Sequence, residues 1–440
     1  DRGTLAAVAL TSFFSRSPKT SGFSGWRMVG YTSGIQFLQS ALLTQSFGAY
    51  IALLAEEKGW SKTGLSGAAA LHSTEAALLG PALGWIVDRF GAPVVIRAGV
   101  VISAAGFWAL SEVETLIGFY LSVLVIGLGA TLGGYFPLTV SIVQWFERYR
   151  ARALSIQSLG LAIGGLGVPL VAWVMHEYGW RIAAQGSAVI MLVVAFPLAW
   201  RLKRRPEDIG EQVDGLSVNN DRKISEDTPN PPKPFSKLLM RGLTAKQALR
   251  TRAFWLLSLG HACALLIVTS VNVHAISHMK EGLGYSVAQA SLVIMIMTIA
   301  QVAGVLAGAA IGDRFEKRLV AAGCMLLHAT GILALAYATR FSHLVAFALL
   351  HGLAWGLRGP FMQALRADYF GRKSFGMIMG MSSLLVALGQ ISGPMVAGVM
   401  ADLTGDYRAG FTLLATMAVA GSVMFVYAIK PKWDEPTEAV

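Results

Sequence analysis

Seven ionisable side chains stand inside long apolar runs, where taking a polar group out of water is costly and usually marks function. They are His72, Glu75, His261, His274, His328, His351 and Arg358. Arg358 sits roughly 12 Å of helix from Arg366 and roughly 22 Å from His343 at helical rise, too deep for its head to reach water easily. His351, Trp355 and Arg358 are spaced i, i+4, i+7 and so share a helical face. A guanidinium can hold a carboxylate through two parallel hydrogen bonds and an indole can cover the apolar remainder, so the trio predicts an anion site. The alternative is a structural arginine that caps carbonyls or balances Glu75. Glu75 lies roughly 20 Å of helix from Asp88. Burial disfavours the charged form of a carboxylate, which suits a proton carrier, and His72 one turn away could share the proton. A static pair with Arg358, or a permanently protonated Glu75, is the other reading. His274 and His278 have the i, i+4 spacing of metal ligands, but the sequence offers no third ligand. No metal, cofactor or catalytic constellation is expected.

A second group of charged residues falls where the chain must reverse. Gly84-Trp85-Ile86-Val87-Asp88-Arg89-Phe90-Gly91 ends one apolar run and precedes another. Its grammar returns as Gly308-Ala309-Ala310-Ile311-Gly312-Asp313-Arg314-Phe315. Asp88 and Asp313 are about 225 positions apart, half the chain, which is the spacing of an internal duplication. Trp145-Phe146 and Tyr369-Phe370, Gly164 and Gly389, and Pro169 and Pro394 keep nearly the same offset. By this symmetry Asp88 is expected at the start of the eleventh span near Ser374, and Asp313 at the start of the fifth near Ser155. Helix N-termini favour such anions. Gly84, Asp88, Arg89, Gly91, Asp313 and Arg314 are therefore the candidate gate.

These residues must be positioned by membrane-spanning helices. The chain has 440 residues, 54% of them hydrophobic and 14% charged, about half the charge of a soluble domain; the mean hydropathy is +0.57. Apolar runs near twenty residues long can cross a hydrocarbon core. They predict spans at 29–55, 66–87, 93–110, 115–144, 152–176, 182–200, 253–277, 286–311, 319–338, 343–365, 374–400 and 408–429. The fold class is thus an all-α membrane protein with twelve transmembrane helices in two pseudo-symmetric six-helix bundles. A cytoplasmic segment 1–28, a bundle 29–200, a linker 201–251, a bundle 252–430 and a tail 431–440 complete the division. The linker is polar, holds Pro229-Asn230-Pro231-Pro232-Lys233-Pro234 and cannot bury a core.

The net charge of +11 follows topology and not a nucleic-acid partner. One set of loops collects Arg89, Arg97, Arg148, Arg150, Arg152, Arg314, Lys317, Arg318, Arg366, Arg372 and Lys373, together with both termini. The opposite loops have only Lys58, Lys62, Arg181, Lys280, Arg340 and Arg408. The positive-inside rule puts the first set, and both termini, in the cytoplasm of a plasma (inner) membrane protein. Cys263 and Cys324 are expected as buried free thiols. The short apolar segment 4–14 is read as cytoplasmic or interfacial and not as a signal peptide.

The chain resembles the major facilitator superfamily, on the branch of bacterial relatives of the monocarboxylate and oxalate–formate porters. Gly25-Trp26 before the first span, Gly59-Trp60-Ser61 after it, Gly84 to Gly91, Trp145-Phe146 before an arginine-rich turn, and Gly179-Trp180-Arg181 carry the resemblance. It implies the major facilitator fold and a central cavity lined by spans 1, 4, 7 and 10. Tyr31, Gln36, Gln39, Tyr135, Asn272 and Gln390 are then candidate polar lining beside Arg358, Trp355 and His351. Two departures stand out. Phe23-Ser24 replace the acidic residue that eukaryotic monocarboxylate carriers place before the first Gly-Trp, and the eighth span has no charge before Asp313.

The expected function is secondary transport of small organic anions, monocarboxylates first, by a monomer that uses alternating access with proton coupling or anion exchange. The chain has no Walker motif to hydrolyse ATP. Proton-linked efflux of apolar drugs is the alternative, and a transporter-like solute sensor is the alternative of another class.

Overall fold

The computed structural model describes residues 23–60, 62–215 and 242–432. Segment 4–14 and the proline-rich 229–234 lie outside the described residues. Ten helical stretches are long and apolar enough to cross a membrane by length and composition. One of them, Arg150–Arg201, is two helices. They meet at Gly179, whose φ of 85° and ψ of 159° interrupt the helix in a region that suits a residue without Cβ. Lys62–Phe90 is a further helix of 29 residues, less apolar because it carries Glu75, Asp88 and Arg89.

In chain order the crossings are α1 (Gly25–Lys58), α2 (Lys62–Phe90), α3 (Ala92–Ser111), α4 (Leu116–Trp145), α5 (150–178) and α6 (180–201). The second set is α7 (Arg252–Gly282), α8 (Val287–Ile311), α9 (Lys317–Ala336), α10 (Phe341–Phe370), α11 (Phe375–Thr404) and α12 (Arg408–Tyr427). The described residues thus hold twelve crossings, the number that the apolar runs predict. Side chains form two apolar cores. One runs from Met28 to Leu202, with four residues of α10 and α11 joined to it. The other runs from Leu243 to Ala428. Large apolar side chains such as Ile117, Leu166 and Leu403 are exposed on the outside, as a lipid-facing surface requires.

Small residues let the backbones touch where α2 meets α11, and Gly308 of α8 and Gly312 just past it pack close against the Ser155 and Ala151 side chains of α5. A Cβ at Gly84 would lie 2.4 Å from Gly376 O, and one at Gly380 would lie 2.3 Å from Gly80 O. Within the second core, α7 and α11 approach as closely at Gly389 and Gly393. There Pro394 lacks the N–H that would bond the Gln390 carbonyl. Thr269 Oγ1 of α7 donates to that oxygen at 3.0 Å instead, and His274 Nε2 donates to Pro394 O at 2.9 Å. His278 Nε2 donates to Leu335 O at 3.0 Å. The i, i+4 pair therefore bonds two separate carbonyls, and no group of three metal-ligating side chains occurs among the described residues.

Candidate functional site

The reversing turns bring the two halves together on the face that carries the arginine-rich loops. Asp88 stands one turn after Gly84 at the end of α2. Its carboxylate accepts the backbone N–H groups of Gly376 at 2.9 Å and Met377 at 2.8 Å, the first turn of α11. Asp313, just past α8, accepts those of Ala151 at 3.0 Å and Arg152 at 3.2 Å, the first turn of α5. Each carboxylate thus satisfies two of the N–H groups that a helix start leaves without partners. Gly91 turns the chain with φ 89°. Arg89 lies over the Trp85 ring, 5.3 Å from its centroid, and Arg314 is exposed. Five more residues lock this face. Arg150 of α5 and Lys317 of α9 both pair with Asp368 of α10, the lysine at 2.8 Å. Arg372 donates to Gln144 O, and Gln144 Nε2 to Arg372 O at 3.2 Å. Burial pushes the Asp313 carboxyl above its ordinary range, against the pull of the Ala151 N–H and the Lys317 charge.

Beyond this closed face lies a cavity of about 530 Å³ between the halves. Its walls come from α2, α4, α5, α7, α8, α10 and α11. Leu83, Phe136, Leu161, Leu265, Val305 and Met379 give it an apolar body, and Tyr135, His261, Gln301, Trp355, Arg358, Gln363, Arg366 and Gln390 give it polar points. No Asp or Glu lines it among the described residues. Arg358 is 1% exposed, and its Nε and Nη1 are buried with no hydrogen-bond partner among the described residues. Leaving such a cation uncompensated is expensive, several kcal/mol by order of magnitude. The site is therefore built for a ligand that brings acceptors and negative charge.

The structure brings Arg358, Trp355, Tyr135 and Gln390 to one cavity. It does not bring the other expected residues there. His351 is fully buried against α9, where its Nδ1 is 3.1 Å from His328 Nδ1. An i, i+4, i+7 stripe is wide enough for its two ends to serve different neighbours. Gln36 and Gln39 are buried in the first core, and the close packing of Gly134 against Gln39 Oε1 turns the latter toward α4. Tyr31 is half-buried, Asn272 is exposed, and neither lines the cavity. Glu75 is half-buried beside the lining residue Ala76 and is not itself lining. The side chain of His72 lies outside the described residues.

Arg366 is the main correction. Reading the tenth span as ending at 365 assigned it to a basic loop. Instead α10 continues to Phe370 and stops at Gly371, φ 75°. Arg366 is 2% exposed and lines the cavity. The glycine that follows Phe370 was the stop signal in the sequence.

The sequence model of the Major Facilitator Superfamily matches residues 32–274 and 257–440. Monocarboxylate transporter 13 of Bos taurus is 23% identical over 365 residues, 78% of each chain. Monocarboxylate transporter 11 of Mus musculus is 25% identical over 436 residues, 93% of this chain and 88% of that one. Two solved structures share the fold. The human organic anion transporter MFSD10 superposes with a TM-score of 0.66 at 15% identity over 93% of this chain and all of that one. The E. coli fucose:proton symporter FucP does so with 0.69 at 12% identity and the same coverage.

Proposed function

Because the chain belongs to the major facilitator superfamily and is a secondary transporter, we propose that it moves small organic carboxylates across the membrane by alternating access. The observation that carries this reading is Arg358, a buried guanidinium whose Nε and Nη1 have no hydrogen bond among the described residues, in a cavity that no described Asp or Glu lines. A carboxylate supplies the two acceptors that a guanidinium fork needs, and Trp355 and Phe136 offer apolar cover for its body. The similar proteins described above, monocarboxylate transporters and an organic anion transporter, support the same substrate class. A cationic drug would meet like charge there, which weighs against the efflux reading.

Transport is coupled to protons or runs as exchange of one anion for another, with Glu75 as the proton carrier in the first case. The arginine-rich face is cytoplasmic by the charge bias of the loops. Asp88 and Asp313 then close the inside, and the conformation is outward-facing. Uptake of a panel of labelled carboxylates into proteoliposomes, with and without a pH gradient, tests the proposal. Saturable uptake of at least one carboxylate is expected. Uptake of apolar drugs with no carboxylate transported would overturn it.

A further inference from the structure

Arg366 is a second buried guanidinium in the same cavity, and its partners among the described residues are all neutral. Nη1 donates to Gln363 Oε1 at 3.1 Å, and Nη2 donates to His261 Nδ1 at 2.8 Å and to Ser382 Oγ at 2.9 Å. Nε is buried with no partner among the described residues. A guanidinium only donates, so His261 Nδ1 must accept and the ring must carry its proton on Nε2. His261 itself lines the cavity, which makes Nε2–H a further donor beside Arg366.

One carboxylate on Arg358 would leave this second donor set without an acceptor and the second charge without a counter-ion. The two arginines are eight positions apart on α10, roughly 12 Å of helical rise, with Pro360 between them. Their side chains enter one cavity from different levels. Resting on the organic-anion reading above, we propose that the cargo carries two carboxylates joined by a short apolar chain. One carboxylate lies on Arg358 and the other on Arg366 Nε–H and His261 Nε2–H. The chain between them lies against Trp355, Phe136 and Met379, which line the same space. The relatives matched above are named for monocarboxylates, and the donor set around Arg366 is what points to a second carboxylate.

The test compares succinate with its monomethyl ester, two probes with the same carbon chain between their acyl groups and a difference of one charge. Binding to the purified full-length protein in nanodiscs is measured near neutral pH. Succinate is expected to bind tighter by roughly tenfold or more, the range for a close buried charge pair. In Arg366→Gln that ratio should fall to about one, and in Arg366→Lys to an intermediate value, because an ammonium keeps the charge and loses the fork. Equal affinity for the two probes in the unmodified protein overturns the proposal and leaves the organic-anion reading standing. A succinate preference that Arg366→Gln does not reduce overturns it as well. Should Arg366→Gln fail to fold, an unreduced ratio in Arg366→Lys counts against it in the same way. Failure of both probes and of every monocarboxylate to bind would instead sink the organic-anion reading itself.

Discussion

Asp88 and Met377 join the two halves of the molecule: a carboxylate oxygen of the first accepts the backbone N–H of the second at 2.8 Å. The contact needs both a charge and an absence. The charge meets the positive end of the α11 dipole, a pairing worth about 0.3–2 kcal/mol. The absence is the side chain of Gly84, whose Cβ would stand 2.4 Å from Gly376 O. Asp88→Ala should therefore loosen the arginine-rich face, and Gly84→Val should force it open by steric clash. Spin-label distances between the ends of α2 and α11 should lengthen in both variants. Distances that match the unmodified protein in both would remove Asp88 from the gate.

Asp313 gives the same closure a pH dependence. Burial raises its carboxyl above the ordinary 3.8, outweighing the bonds from Ala151 and Arg152 and the nearby Lys317 charge. A state that buries Asp313 therefore holds the proton more tightly than one that leaves it in water. By linkage, acid favours the closed state, and closure weakens as pH rises through the raised value. The population closed on this face should grow as pH falls from neutral towards the carboxylate range. Asp313→Asn should flatten that part of the titration, read by the same distances between α5 and α8. An opposite slope in the unmodified protein would contradict the assignment.

The fold was legible because its signals are repeated. Runs of apolar residues fix twelve crossings, and the Asp88 and Asp313 turns sit in one register, so the contact with each facing helix follows from symmetry. The cavity was legible at Arg358, where charge marks it, and at Trp355, Tyr135 and Gln390, which helical spacing and the resemblance put there. Its other walls depend on how each helix is rotated and broken, and local sequence does not set this. The α1 helix loosens at Ser40–Thr44 and α4 breaks at Gly134, which leaves Gln36 and Gln39 in a core and Tyr135 in the cavity. Arg366 was hidden for a different reason: an arginine five residues before a turn reads as a loop charge until neutral partners are found around it. Asp368 was hidden likewise, since its partners Arg150 and Lys317 come from distant helices.

Glu75 belongs to the coupling hypothesis. It lies on α2, next to the cavity-lining Ala76, in the half of the molecule opposite Arg358. If it carries the proton, Glu75→Gln should abolish pH-driven net uptake while some substrate binding or exchange persists, because the amide mimics the protonated acid in shape. Uptake at two external pH values, set beside counterflow with no gradient, separates the two activities. Acid stimulation equal to that of the unmodified protein would remove Glu75 from the mechanism.

Arg358 carries the substrate hypothesis, and its environment sharpens the experiment. Nε and Nη1 have no partner among the described residues, so truncation breaks no described hydrogen bond on those atoms, and the affinity change reports chiefly on the ligand. Arg358→Ala should nearly remove binding, a loss of about 2–5 kcal/mol. Arg358→Lys should weaken binding well over tenfold, on the order of 1.4 kcal/mol or more, since it keeps the charge and not the planar fork. The competing view is that Arg358 only balances Glu75. In that case neutralising both together, as Glu75→Gln with Arg358→Gln, should restore transport that each single change abolishes. If Arg358 holds the anion, the double variant stays inactive and its substrate affinity is as low as that of Arg358→Gln alone. Equilibrium binding and proteoliposome uptake on the two singles and the double decide between these views, and recovery in the double would transfer Arg358 from the substrate to the scaffold.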